Sequence, residues 1–424
     1  MAELIQPIRG MNDVLPEQSP GWTAVESAAA AIFDAYGYQR LRIPVLERTD
    51  LYRRSIGEST DIVEKEMYTF DDRNGDSLTL RPEATAGMVR AGLSHGLFHN
   101  QQQKLWCSGP MFRHEKPQKA RYRQFHQLSL EAVGFAGPEI DAELIVMSAH
   151  LWARLGLESP TLELNSLGTP ESRGRYREAL VAYFDGSRDI LDADSLRRLE
   201  INPLRILDSK NPDLRDLIAA APELSDYLDS ESRDHFEQVT HLLTDVGQSY
   251  VLNPRLVRGL DYYTRTVFEW VTDRLGAQSA ICSGGRYDGL VAQLGGRDTP
   301  AVGWALGLER VVELMAAEGR EIAAQSPDAY LVMAGDRARR EGFAIAERLR
   351  ADVPGLRLTF DCVAGGMKAQ LKRADRSGAR LALILGDDEL AAGQVSVKAL
   401  RERSPQESVE LGELIERLRR DGAH

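Results

Sequence analysis

The stretch Phe112–Gln127, FRHEKPQKARYRQFHQ, sets five basic side chains (Arg113, Lys116, Lys119, Arg121, Arg123) against one acid, Glu115, in a chain whose formal net charge is −12. A strand alternates its faces, so residues of the same parity share a side. Arg113 and Glu115 share parity. After a loop at Lys116–Ala120, so do Arg121, Arg123, Phe125, Gln127, Ser129 and Glu131, while Leu128, Leu130 and Ala132 fall on the opposite, apolar face. The pattern predicts a hairpin with one face on a core and the other carrying guanidiniums, an amide, a carboxylate and a flat ring. Two readings compete, a solvated hairpin face and a binding face. Phe125 is out of place on a solvated face, and Arg holds the in-strand positions where Lys would serve for charge alone. Arg grips phosphate or carboxylate bidentately and stacks on rings. Such a face suits a nucleoside triphosphate with a stacked base.

The rest of the composition bounds this reading. At 424 residues and 47.1 kDa the chain predicts two or three domains. With 43% hydrophobic and 27% charged residues it is that of an ordinary globular protein. The start, MAELIQPIRGMND, has no apolar signal core, and no apolar run approaches the roughly 20 residues of a membrane helix. Cys107, Cys282 and Cys362 lie far apart without a CxxC pair, which argues against a disulfide framework or a zinc site and fits a reducing cytoplasm. No metal site is expected from protein ligands. An acidic chain can still bind a polyanion if its positive potential is local.

Along the chain, Ser19-Pro20 reads as a cap and first turn, followed by Trp22, Val25, Ala29, Ile32, Phe33 and Tyr36 at helical spacing until Gly37. A strand-like YQRLRIPVLE contains Pro44, and EMYTFDDRNGDSLTLRPE reads as two strands around an Asn-Gly turn. Dense charge at helical spacing between about Thr169 and Gln248 predicts a helical insertion. Strand patterns return at Val251–Val271 and Ala301–Leu306, and Gly319–Pro327 reads as a linker. Beyond it the order β-α-β-α-β-β-α predicts a separate α/β domain. The expected organisation is a domain over 1–325, with the insertion near 169–248, and a second over 326–424.

Four further segments carry chemistry. In LTLRPEATAG, Thr79, Arg81, Glu83 and Thr85 share a face; Glu83 with Thr85 could hold an ammonium, or simply cap a helix. In LVRGLDYYTRTVFEW, Arg258 and Asp261 read either as an internal ion pair or as an Arg facing a reacting anion beside Tyr262 and Tyr263. AVGWALGLERVV puts Glu309 and Arg310 where a strand becomes a helix. CSGGRYDGLV forms no phosphate loop, and there is no GxxxxGK[ST] in the chain, so its glycines point to close backbone approach.

In order and spacing, RGMNDVLP, the Pro44 segment, FRHEKPQKARYRQFHQ, RGLDYYTRTVFEW, GGRYDGLV and AVGWALGLER resemble the class II aminoacyl-tRNA synthetases, and among them the histidyl-tRNA synthetase family. The resemblance covers essentially the whole chain. It implies an α+β fold: a class II antiparallel sheet flanked by helices, a helical insertion and a C-terminal α/β anticodon-binding domain. It implies a cytoplasmic homodimer with ATP, Mg²⁺, L-histidine and tRNA(His) as partners. Histidine would attack the α-phosphorus of ATP, and the adenylate would then pass its histidyl group to the tRNA's terminal adenosine. Carried over residue by residue, Glu83, Thr85 and Gln127 would hold the α-ammonium. Glu131 and Tyr263 would read the imidazole, with Tyr262 lining the pocket. Arg113 and Arg258 would flank the α-phosphate as the catalytic pair. Glu115 would meet the adenine amino group, Phe125 and Arg310 would sandwich the ring, and Arg121 and Arg123 would hold the outer phosphates. Gln118 and Lys119 would meet the tRNA acceptor end, and Lys372 and Arg376, on a basic helix that otherwise reads as solvated, the anticodon side. Departures from the family pattern are Ala84, Ala120 and Thr264, none of which removes a functional group. The rival reading is a non-catalytic paralogue serving as regulatory subunit of ATP phosphoribosyltransferase, which would lack the C-terminal domain and show eroded motifs; Arg258 and the segment Tyr330–Arg420 are both present.

Overall fold

The structure, a computed structural model, describes residues 4–421 apart from 58–59, 117–120, 208, 210, 277–279 and 364. It divides into two compact units, Met1–Ala323 and Ala324–His424.

In the first unit the strands, in chain order, are β1 (Gln39–Arg40), β2 (Leu46–Arg48), β3 (Tyr68–Asp71), β4 (Ser77–Leu80), β5 (Gln103–Phe112), β6 (Gln124–Val133), β7 (Thr161–Ser166), β8 (Val251–Leu252), β9 (Thr264–Val271), β10 (Ala280–Arg286) and β11 (Ala301–Gly307). Eight of them form one sheet in the order β1-β5-β6-β11-β10-β9-β7-β8, antiparallel except for the parallel edge pairs β1·β5 and β7·β8. Register fixes which residues share a face. Trp106, Leu130 and Trp304 pair across three strands, as do Leu128 with Leu306 and Ala132 with Val302. These side chains form the main core with the helices Ser19–Ala35, Glu139–Leu155 and Leu308–Ala317. The opposite face runs through Phe125, Gln127, Ser129 and Glu131, then Gly303, Ala305 and Gly307 on β11, Ser283 on β10 and Glu269 on β9.

Close strand approach explains two glycines. A Cβ at Gly303 would run into the Glu131 carboxylate and the Leu130 carbonyl, and one at Gly284 into the Gly303 carbonyl and Trp304. Glycine is needed there for space.

Some expectations shift. Ser19 does not cap its helix: its hydroxyl donates to the Leu15 carbonyl at 3.2 Å. The strand-like YQRLRIPVLE breaks across 41–45, around Pro44, into β1 and β2, and the buried Arg81 guanidinium donates to the Ile43 and Pro44 carbonyls there and to that of Pro110 on β5. The run from Val251 to Val271 is mostly loop. Asn253 turns the chain by accepting from the Arg255 N–H at 3.0 Å, and β9 begins only at Thr264. The insertion forms the helices Pro170–Asp185, Ala193–Ile201, Arg215–Ala219 and Ser230–Asp245; the side chains of Thr169, Asp192 and Asp229 cap the first, second and last. It is packed onto the sheet, with Tyr176, Leu180 and Phe184 in one cluster with Tyr263, Val267 and Tyr287.

The strands β2-β4-β3 make a separate small sheet. On one face Glu47 pairs with Arg90, and Thr79 exchanges hydroxyl contacts with Thr49 and Thr69. The other face carries Leu46, Leu78, Leu80, Tyr68 and Phe70, with Arg48 among them, and Leu46 is 39% and Phe70 45% exposed. This sheet therefore has its polar side inward and its apolar side outward.

The second unit has strands β12 (Ala329–Met333), β13 (Leu358–Phe360), β14 (Leu381–Leu385), β15 (Gln394–Ala399) and β16 (Glu407–Glu410) in the order β13-β12-β14-β15-β16, with β12 parallel to both neighbours. Two elements depart from the expected pattern. A short helix, Asp387–Ala392, precedes β15, and residues 407–410 pair with β15 as a strand before the helix Leu411–Asp421, although the last helix is expected to start at Val409. Among the described residues no helix is long and apolar enough to cross a membrane.

Candidate active site

A cavity of about 250 Å³ opens on the sheet face that carries Phe125 and Gln127. One wall belongs to the start of the helix Thr85–Ser94. The Glu83 carboxylate accepts from the N–H groups of Thr85 (2.5 Å) and Ala86 (3.0 Å), so it satisfies the helix's first donors. Burial raises its pKa against those hydrogen bonds. Thr85 in turn donates from Oγ1 to Glu131 Oε1 at 2.6 Å, and the Tyr287 hydroxyl donates to Glu131 Oε2. Glu131 is 1% exposed, and burial, with a smaller push from Glu83, raises its carboxyl to about 8 despite both donors. Tyr287 packs edge-on against Tyr262 at 5.5 Å, and Tyr262 lies 4.8 Å from Tyr263. Gln127 lines the cavity, and its buried Oε1 has no hydrogen-bond partner among the described residues.

Arg258 stands beside these tyrosines, its guanidinium 5.4 Å above the Tyr263 ring. Of the two sequence readings, the ion pair with Asp261 is not formed. Arg258 Nη1 instead donates to Glu269 Oε1 at 2.5 Å, an oxygen that also accepts from Ser283 at 3.0 Å. Burial works to lower the Arg258 pKa, but Tyr263 and Glu269 raise it overall. Asp261 lies nearer Arg205 and Arg173, and burial raises its pKa.

The other end of the cavity is lined by Arg113, Glu115, Arg121, Phe125 and Arg310. Arg113 is held by the Pro82 carbonyl at 2.8 Å and lies 5.3 Å over the Phe125 ring. Glu115 pairs with Arg121 and lies 3.9 Å from Arg113. Burial and the neighbouring charge of Arg121 lower the pKa of Arg310. Four guanidiniums thus face one cavity, where water is partly excluded and their field on an anion is strong.

Of the predicted residues, Glu83, Thr85, Arg113, Glu115, Arg121, Phe125, Gln127, Arg258, Tyr262, Tyr263 and Arg310 converge here. Glu131 lies beneath them, reached through Thr85 and Tyr287. Arg123 is not in the cavity wall; its Nε donates to the Glu115 carbonyl at 3.3 Å. Gln118 and Lys119 lie outside the described residues, as does Ala120. Lys372 and Arg376 are exposed on the helix Met367–Arg376 of the second unit. Tyr287, Glu269 and Ser283 were not singled out from sequence. Parity along β9 and β10 puts Glu269 and Ser283 on the cavity face, but only once the strand register is known.

Residues 10–311 match the family model for histidyl-tRNA synthetase, and residues 328–421 that for an anticodon binding domain. The chain belongs to the histidyl-tRNA synthetase family. A curated histidine–tRNA ligase from Halorhodospira halophila is 59% identical over 415 residues, 98% of either chain. The apo histidyl-tRNA synthetase of S. aureus shares the fold with a TM-score of 0.82 and 36% identity, over 98% of this chain and all of that one. A Bacillus halodurans structure described as an ATP phosphoribosyltransferase regulatory subunit/histidyl-tRNA synthetase matches with a TM-score of 0.64 at 22% identity, over 88% of this chain and 97% of that one, a likeness of fold alone. With both synthetase domains present and a ligase as the curated relative, the regulatory reading has no support.

Proposed function

We propose that the cavity binds histidine against Glu83, Thr85, Gln127, Glu131 and the Tyr262–Tyr263 pair, and ATP against Arg113, Glu115, Arg121, Phe125 and Arg310, with Arg258 at the junction. The family makes the chain a histidine–tRNA ligase, with histidine, ATP and tRNA as its substrates. The observation that carries the residue assignment is the convergence of an ammonium-type site (Glu83, Thr85 and the unpartnered Gln127 oxygen) and four guanidiniums in one cavity.

In the first step the histidine carboxylate forms a bond to the α-phosphorus while the bond to pyrophosphate breaks. In the second, a ribose hydroxyl of the tRNA's 3′-terminal adenosine attacks the acyl carbon and AMP leaves. Such transfers need alignment and charge neutralisation more than covalent help, which Arg113 and Arg258 supply. Glu131 is assigned to one imidazole nitrogen and Tyr263 to the other. A site built to pair both nitrogens rejects side chains that cannot, by roughly 10⁴-fold.

Among the described residues no cluster of three or more His, Cys, Asp or Glu side chains could cage a metal. Mg²⁺ would enter with the triphosphate, whose oxygens suit it as ligands, and would neutralise phosphate charge there. Arg123 supports the outer-phosphate site through its neighbour Glu115, and Gln118, Lys119, Lys372 and Arg376 are assigned to tRNA(His). We assign a catalytic domain to 1–325, insertion included, and an anticodon-binding domain to 326–424. The protein acts in the cytoplasm as a homodimer. The outward apolar face of β2-β4-β3 supports the dimer, since an exposed apolar patch on a folded chain marks a contact surface.

The test is pyrophosphate exchange with each of the twenty amino acids. Exchange with histidine alone is expected; none with any amino acid would overturn the reading.

A further inference from the structure

The register of β6 against β11 ends at Gln127–Gly307, because β11 turns into the helix Leu308–Ala317 there. The next residue on β6, His126, is left with a main-chain N–H and no ladder partner on that side. A buried N–H needs an acceptor. Glu309 provides it: the His126 N–H donates to both carboxylate oxygens, at 2.9 and 3.0 Å, and His126 Nδ1 lies 3.1 Å from Oε1. The Glu309 side chain is 9% exposed. Trp22, on the helix Ser19–Ala35, packs edge-on against the His126 ring at 5.0 Å and 89°. A second cavity, of about 590 Å³, includes Trp22, His126 and Glu309 in its lining.

His126 and Phe125 are neighbours on one strand and point to opposite faces, and Glu309 and Arg310 are neighbours on one helix. Phe125 and Arg310 line the substrate cavity, as does Glu309, whose carboxylate is held by the His126 N–H. A link between 126 and 309 therefore sets the spacing between 125 and 310. We propose that Glu309 is a positioning residue of the nucleotide slot: by binding His126 it fixes the distance between Phe125 and Arg310 that a purine must fill. The inference rests on the reading of this cavity as the ATP site. Of histidine's proposed partners, Gln127 adjoins His126, but its place on β6 is also held by ladder pairing with Gly109 and Gly307, so the larger effect falls on ATP.

The experiment is pyrophosphate exchange with ATP and histidine varied separately. Losing both charge-assisted hydrogen bonds in Glu309→Ala should raise KM for ATP about tenfold. The histidine KM should stay within about twofold, and Glu309→Gln, which keeps an acceptor for the N–H, should recover most of the loss. A merely structural residue would lower the melting temperature and the active fraction without splitting the two KM values. If Glu309→Ala does not fold, Glu309→Asp carries the test, because its shorter side chain cannot span the same gap; the same split is expected. An unchanged KM for ATP, or an equal rise in both, would overturn the inference. A wild-type protein with no ATP-dependent exchange would overturn the ATP-site reading on which it stands.

Discussion

The Tyr287 hydroxyl donates to Glu131 from the end of β10, and the carboxyl that receives it is buried and neutral up to a pKa of about 8. In the unfolded chain this group ionises near 4.5, so between the two values the folded state holds the extra proton. The stability from Glu131 is thus present below about pH 4.5 and lost as pH rises towards 8. Glu131→Gln should flatten the fall of melting temperature between pH 5 and 8. An unaltered slope would show that the carboxyl is ionised in the fold. Tyr287→Phe keeps the ring against Tyr262 and removes one donor. Its histidine KM should rise about tenfold with that for ATP unchanged.

Arg258 and Glu269 share a short contact in the cavity wall, which separates their structural and catalytic parts. Arg258→Ala leaves Glu269 unpaired in a half-dry site, at a cost of about 3 kcal/mol. Adding Glu269→Gln should restore the melting temperature, while histidine-dependent exchange stays down by at least about a hundredfold. Near-normal exchange in the double variant would remove Arg258 from the reacting centre.

The pair also marks how far sequence could reach. Alternation along β6 placed Phe125, Gln127 and Glu131 on one face, because a strand's period is local. For Arg258 the sequence offers Asp261, three residues away, as one of two readings, whereas Glu269 comes within reach only because the loop 253–263 folds back along β9. Tyr287 was hidden for the same reason: its target lies on β6, and two intervening pairings bring them together. Arg123 fits the parity but not the cavity, since the chain turns at 121–123, where its backbone N–H donates to the Gly10 carbonyl and its Nε to the Glu115 carbonyl. The helical pattern VELGELIERLRR starts at Val409, yet an open edge of β15 took Val409 and Glu410, with 407 and 408, as a strand.

The outward face of β2-β4-β3 predicts its own mutant. Leu46 and Phe70 are polar-tolerant positions in an isolated monomer, since neither lies in its core. Phe70→Asp should keep the circular dichroism spectrum and melting profile of each folded chain but shift sedimentation from a dimeric to a monomeric mass. The expected wild-type mass is about twice 47.1 kDa. A wild-type monomer, or a dimer indifferent to Phe70→Asp, would place the contact elsewhere.

On the helix Met367–Arg376 the basic residues divide by their partners. Arg373 is tied to Asp361 at 2.6 Å, and that carboxylate also accepts from the Tyr330 hydroxyl at 3.3 Å and the Val363 N–H at 2.8 Å. Burial works to raise the Asp361 pKa, but Arg373 and the Val363 N–H lower it, so the pair is ionised and its work is internal. Lys372 and Arg376 are exposed on the same helix. If they meet tRNA phosphates, replacing both with Ala should reduce the slope of log binding constant against log salt by about 2, weakening binding most at low salt. Arg373→Ala should instead lower the melting temperature of the second unit and leave the slope alone. Equal slopes for the wild type and the Lys372/Arg376 double variant would move the RNA contact off this helix.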